Sequence, residues 1–181
     1  MVKRKPKVVK QAPKWASSPE EFEKLEQSFE KSQKGGKKRV SSIKSTYDGI
    51  DFDSQLEVYC YKALKLAGLE FEYGQHSYTL IDAFKCISDS YEGDKRKGPD
   101  MYIKSKNLQK ISYKPDFIIT GKFTYIIETK GMIANEAFPI RWKLFKRYLK
   151  DNNLNYDLFM PKNHKQVDQC IQIILNKENN A

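Results

Sequence analysis

The chain has only two histidines, His76 and His164, and three cysteines, Cys60, Cys86 and Cys170. No cysteine lies in a CxxC pair or near a histidine at zinc-ligand spacing, which argues against zinc chemistry and for reduced thiols. Two histidines also argue against a nucleophile relay that needs several imidazole partners. No apolar run approaches the roughly 20 residues that a membrane-spanning helix requires, so no membrane partner is expected. The opening MVKRKPKVVK is basic without an apolar stretch behind it and does not read as a secretory signal; the expected setting is cytoplasmic. What is present is enough for a core: 39% of the 181 residues are hydrophobic and 13% aromatic, in a chain of the length of one domain with tails or insertions.

The formal net charge of +10 is unevenly placed. Residues 1–46 hold thirteen Lys/Arg against five Glu, a net of +8, and residues 47–181 hold twenty against eighteen, a net of +2. A basic arm on a near-neutral domain suits attraction of an anionic polymer, although a solubilising tail or localisation signal has the same composition. The domain boundary is placed at 46/47, with Lys37, Lys38 and Arg39 as candidate phosphate contacts in a linker after Gly35-Gly36.

Within the arm, Ser18-Pro19-Glu20-Glu21 carries cap, first-turn and capping-box signals for a short helix to about Gln33. A second helix starts near Asp53, with Leu56, Tyr59, Cys60, Ala63, Leu66 and Ala67 at helical spacing and Gly68 closing it. Leu69–Tyr73 alternates as a strand that can continue through Ser77–Ile81. Residues 84–109 are polar and rich in turn signals, and are expected as an inserted hairpin. Ile111–Thr120 and Lys122–Lys130 are β-rich runs joined at Gly121, the signature of a hairpin. A helix over Ala137–Lys150, a strand over Tyr156–Met160 and a helix over Asn163–Leu175 follow. The predicted order, α-β-β-β-α-β-α after a tail, implies an α/β fold with a mixed sheet flanked by helices.

Magnesium-dependent hydrolysis of a phosphodiester needs oxygen ligands that hold hydrated ions against the scissile phosphate. Asp116 in the first strand of the hairpin and Glu128 near the end of the second can converge at one end of the sheet. Period-two alternation puts Lys130 on the same face as Glu128, where a cation can orient a nucleophile or offset developing charge.

Pro115-Asp116 followed by Glu128-Thr129-Lys130 resembles the signature of the PD-(D/E)xK nucleases. With a glutamate-bearing helix before the hairpin, Ser54-Gln55-Leu56-Glu57, the match is similar to the phage endonuclease I type of Holliday-junction resolvase and related small phage endonucleases, over roughly residues 47–160. The resemblance implies a restriction-endonuclease-like core with Glu57, Asp116, Glu128 and Lys130 as catalytic residues. It implies magnesium, for which manganese can substitute, held by Glu57, Asp116, Glu128 and the Thr129 carbonyl. It further implies a homodimer acting on branched or duplex DNA in phage recombination, repair or genome processing, in the host cytoplasm if the chain is phage-encoded. The insertion at 84–109 and the basic arm are departures from the common core. A nuclease of the same fold directed at RNA and a non-catalytic DNA-binding module are the alternatives.

Each residue has a plainer reading. Asp116 can mark a strand end, and Glu128 can simply pair with Lys130. Ser54-x-x-Glu57 is a capping-box pattern, and a glutamate folded onto the helix start does not reach a metal in the same rotamer; the metal role is preferred because the fold brings that helix to the hairpin. Arg141, Lys143, Lys146 and Arg147 can be a solvated helix face, or Lys143, Lys146 and Arg147 can contact phosphate from their shared surface. Trp142 is expected to pack rather than stack on bases, and neither histidine is assigned to catalysis.

Overall fold

The computed structural model describes residues 12–33, 44–94, 96, 98–131 and 137–180. The chain forms an α/β fold, with four helices among the described residues, and divides into two compact units. The first comprises the chain to Gly74, Pro115–Ile133 and Asn155 onward; the second comprises Gln75–Lys114 and Ala134–Leu154.

In the first unit, α1 spans Pro19–Gln33. The Ser18 hydroxyl accepts the Glu21 N–H at 3.3 Å, and Phe22 and Leu25 are buried, with Trp15 edge-on to Phe22. A short hairpin follows, β1 (Ser45–Tyr47) and β2 (Ile50–Phe52), turning at Asp48-Gly49, both with positive φ. This Asp-Gly turn signal lies in the sequence, and no hairpin is predicted there. Helix α2, Gln55–Leu66, buries nearly every side chain from Leu56 to Leu64, as a helix apolar on most of its circumference must. Gly68, at φ +69°, ends it: its N–H reaches the Lys65 carbonyl and the Leu69 N–H that of Leu64, the two bonds of a Schellman cap.

A four-stranded mixed sheet runs in the order β12-β11-β10-β3, formed by β3 (Phe71–Tyr73), β10 (Phe117–Thr120), β11 (Thr124–Ile127) and β12 (Tyr156–Phe159). The β10–β11 and β10–β3 pairs are antiparallel and β11–β12 is parallel. Helix α4, His164–Asn180, buries Val167, Cys170, Ile171 and Ile174 and joins α2 through a Tyr59 hydroxyl bond to Asp168. It runs past the predicted end at Leu175 because Glu178 has work there: its carboxylate accepts the Lys122 and Phe123 N–H groups and the Tyr125 hydroxyl, bracing the β10–β11 turn. A Cβ on Gly121 would lie 2.6 Å from Glu178 Oε2, so glycine permits this approach.

The second unit is an antiparallel ribbon and one helix. The ribbon nests three ladders: β4 (Tyr78–Ile81) with β9 (Ile111–Tyr113), β5 (Phe84–Lys85) with β8 (Asn107–Leu108), and β6 (Ser90–Gly93) with β7 (Met101–Lys104). Helix α3, Ala137–Asp151, packs on its base, where Tyr78 and Tyr113 meet Phe145 at ring separations of 5.0 and 4.5 Å.

Three expectations need correction. The Tyr78–Ile81 stretch does not extend β3; it pairs with β9 in the other unit. The run predicted as one strand over 111–120 breaks at Lys114–Asp116 into β9 and β10, since Pro115 offers no N–H to a ladder. Asp116 therefore sits in the bend before β10 and not within a strand.

Candidate active site

Asp116 leaves the chain immediately ahead of β10, where Pro115 is buried. Its Oδ2 accepts both the N–H and the hydroxyl of Thr129, each at 2.7 Å, so the second residue past β11 clamps the residue just before β10. Oδ1 is not committed to that clamp. Glu128 and Lys130 continue beyond β11 in extended backbone, their N–H groups bonded to the Phe159 and Pro161 carbonyls at 3.0 Å. Period two then sets their side chains together, and the Lys130 ammonium lies 2.7 Å from Glu128 Oε1, with Glu128 only 2% exposed.

Glu57 enters from the first turn of α2 and is buried. Its N–H donates to the Ser54 hydroxyl at 3.2 Å, which in turn donates to Glu57 Oε1 at 2.7 Å. Oε2 accepts the Asp53 N–H at 3.1 Å and the Tyr73 hydroxyl at 2.6 Å. The glutamate thus adopts the helix-capping arrangement in this structure. Its charge still reaches the cluster: the Asp116 carboxyl is pushed up to about 7, first by burial, then by the negative charges of Glu128 and Glu57, with the Thr129 hydrogen bond and Lys130 opposing. Burial works against the Lys130 charge, but the bond to Glu128 and the neighbouring carboxylates prevail and hold its ammonium above the usual range. Burial, followed by the bond to Glu57, raises the Tyr73 phenol.

Tyr73 was not legible in the sequence as a site residue. It becomes one because β3 pairs antiparallel to β10, setting Tyr73 opposite Phe117, the residue after Asp116. Only that non-local register brings it to a glutamate sixteen residues earlier.

Among the described residues, no three His, Cys, Asp or Glu side chains are gathered closely enough to hold a metal ion as they stand. Magnesium does not require such a cage; it is ordinarily held by one or two carboxylates, with waters and substrate oxygens completing its shell. The donor set fits that chemistry. All candidate ligands are hard oxygens, and when ionised the three carboxylates oppose one ammonium in a partly buried cluster, a surplus of negative charge that a divalent cation relieves.

The remaining candidates lie elsewhere. Lys37, Lys38 and Arg39 fall outside the described residues. Lys143, Lys146 and Arg147 are exposed on α3; Arg147 is bonded through Nε to both oxygens of Asp151 at 2.7 Å, and Lys146 lies 5.5 Å from the Trp142 ring. Trp142 packs among Phe138, Tyr113 and Phe145. His164 packs on Phe29 and Tyr59, and His76 on Tyr78.

A family model described as protein of unknown function, DUF1064, matches residues 37–165. The chain belongs to this family. The matched segment contains Glu57, Asp116, Glu128, Thr129 and Lys130 and begins after α1. No curated protein and no solved structure matches the chain.

Proposed function

We propose that the protein is a magnesium-dependent nuclease of the PD-(D/E)xK class, with a restriction-endonuclease-like core in the first unit and DNA as its substrate, branched or duplex. One observation carries this reading: the partly buried cluster of Asp116, Glu128 and Lys130, in which Thr129 clamps Asp116 and the aspartate carboxyl is raised first by burial and then by its acidic neighbours. Proteins do not gather like charges under partial burial for stability alone, and strongly perturbed acids concentrate at functional sites.

Asp116 and Glu128, with the Thr129 carbonyl and Glu57, would hold magnesium, or manganese in its place. The bound ion supplies charge neutralisation and polarises a phosphoryl oxygen. Thr129 fixes the Asp116 carboxylate through two bonds to one oxygen, leaving the other outside that clamp. Lys130, two residues from Glu128, orients the attacking water and offsets negative charge developing on phosphorus. Ser54, Tyr73 and the Asp53 N–H hold Glu57 where its charge acts on the cluster. Lys143, Lys146 and Arg147, with the basic arm, serve as non-specific phosphate contacts in this reading.

The capping arrangement of Glu57 favours a second reading, a nucleic-acid-binding module without catalysis. Incubating the protein with magnesium and labelled junctions, flaps, duplexes, single strands and RNA, then mapping the cuts, separates the two. Metal-dependent cuts on DNA are expected. Binding without any cleavage in magnesium or manganese would leave the second reading standing.

A further inference from the structure

The first unit holds a cavity of about 540 Å³ bounded by α1, the β1–β2 hairpin and the C-terminal half of α2. That volume is in the range of a small-molecule site. Leu25 of α1 and Leu66 of α2 give it apolar walls, and Tyr47, 40% exposed, stands beside them. Three ammonium-bearing side chains also line it, Lys24 from α1 and Lys62 and Lys65 from α2, against one carboxylate, Glu21. The matched family segment begins after α1, so the wall that carries Lys24 and Leu25 is built outside that segment.

The lysines differ in what answers them. Lys65 is ion-paired with Asp48. Lys24 and Lys62 make no ion pair with any described residue, and the Lys62 ammonium lies 4.0 Å from the centre of the Tyr47 ring. Two unanswered cations converging on one concave, partly apolar surface raise the potential there, and a bound anion relieves it. An aromatic face holds an ammonium more weakly than an anionic oxygen does, so Lys62 can exchange the ring for an anion and bare that face of Tyr47. The Ser17 and Ser28 hydroxyls donate to the Leu66 and Leu25 carbonyls at 2.7 and 2.8 Å, so neither proton is left for a ligand and the anion falls to the lysines.

The rest of the lining indicates what the anion is attached to. Lysine binds phosphate as a point charge, without the planar match that arginine offers a carboxylate. A tyrosine face and leucine walls in the same cavity take up a flat ring, and every nucleobase presents a π face to stack. Glu21 supplies an acceptor for a sugar hydroxyl or an exocyclic amine. A nucleoside phosphate carries all three features in one molecule, whereas inorganic phosphate lacks two of them. We propose that this cavity binds a nucleoside phosphate, its phosphate held by Lys24 and Lys62 and its base on Tyr47. A free nucleotide and the phosphorylated end of a nucleic-acid strand present that same chemistry. The site shares no residue with the carboxylate cluster and does not depend on the nuclease reading, so a failure of either leaves the other untouched.

Calorimetric titration of the full chain with ADP in the presence of EDTA tests it, the chelator keeping metal-bridged binding at the carboxylate cluster out of the signal. Saturable binding with a dissociation constant below ~1 mM is expected. Lys24→Gln and Lys62→Gln should each weaken it by about 10-fold, as loss of a charge-assisted hydrogen bond does. Lys165→Gln, at an exposed position on α4, should leave it unchanged. Tyr47→Leu should weaken ADP by about 10-fold and leave the binding of pyrophosphate as it was, because only the nucleotide has a base to stack. A 5′-phosphorylated tetranucleotide titrated in the same way assigns the source: tighter binding than ADP with the same dependence on Lys62 and Tyr47 identifies a strand end, and weaker binding a free nucleotide. No saturable ADP binding, ADP binding indifferent to both lysine variants or equally sensitive to Lys165→Gln, or pyrophosphate bound as tightly as ADP would each overturn the proposal.

Discussion

The first unit takes Glu57, Glu128 and Thr129 out of water, while the second leaves Phe84, Ile87, Tyr91 and Met101 in it, Ile87 being 95% exposed. Each arrangement runs against the usual partition, in which apolar groups are covered and ionisable groups are solvated or paired. The two anomalies differ in kind. Polar residues in the first unit are held in place by specific bonds, Thr129 to Asp116 and Ser54, Asp53 and Tyr73 to Glu57, so their burial is organised. The ribbon's apolar residues are organised only by their cross-strand register. Buried charge with its positions specified points to chemistry; exposed hydrocarbon in matched pairs reflects strand register alone.

The sharpest test of the first half of that contrast is Asp116→Asn or Glu128→Gln. Each removes a ligand charge at nearly constant volume and is expected to lower cleavage by a factor on the order of 10³ or more while binding of DNA persists; near-wild-type cutting in magnesium would dissolve the active-site assignment. Lys130→Met should follow with a loss of about 100-fold in single-turnover rate and little change in magnesium affinity by calorimetry, because lysine is not a ligand. Equal losses in both quantities would reduce Lys130 to the ion-pair partner of Glu128.

Stability should move the other way. The Asp116 carboxyl titrates near 7 in the folded protein against an ordinary 3.8. An acid raised on folding holds its proton more tightly in the native state, so between about pH 4 and pH 7 the native chain binds more protons and its stability falls as pH rises, by at most ~1.4 kcal/mol per unit. Without metal, Asp116→Asn is therefore expected to be more stable than wild type by about 1–3 kcal/mol at pH 7, with the difference shrinking toward pH 4. Thermal melts at pH 4.5 and pH 7 measure this, and a variant destabilised at both would show that the aspartate is there to brace Thr129.

The smallest expected effect separates the two roles of Glu57. Ser54→Ala removes both the side-chain cap on the Glu57 N–H and a donor to its carboxylate, and should cost about 1 kcal/mol by chemical denaturation. If the glutamate only caps the helix, cleavage should be unaffected once the fold is intact. A change in magnesium affinity larger than the stability loss would tie the cap to the site.

Local patterns were read well where neighbours in sequence decide the outcome. The Ser18 and Ser54 caps, the apolar stripe of α4 and the Glu128-x-Lys130 alternation all appear as their periodicity implies, because a helical turn or a strand pleat is set within a few residues. The hairpin at Asp48-Gly49 carried an equally local signal and was overlooked. The division of the run over 111–120 was harder. Its β-propensity is continuous, and only the pairing of one half with β4 and the other with β3 and β11 shows that Pro115 and Asp116 form a bend.

By itself, then, the order of residues determined the four helices and most of the strand segments among the described residues, that Glu128 and Lys130 share a face, and that the chain carries acids suited to a hard cation, since these follow from short-range geometry and side-chain chemistry. Tertiary structure alone decided that Thr129 clamps Asp116 across thirteen residues, that Tyr73 reaches Glu57, and that the inserted hairpin exposes its apolar pairs. These depend on strand register and on what each surface is packed against, and neither is encoded within a turn or a pleat.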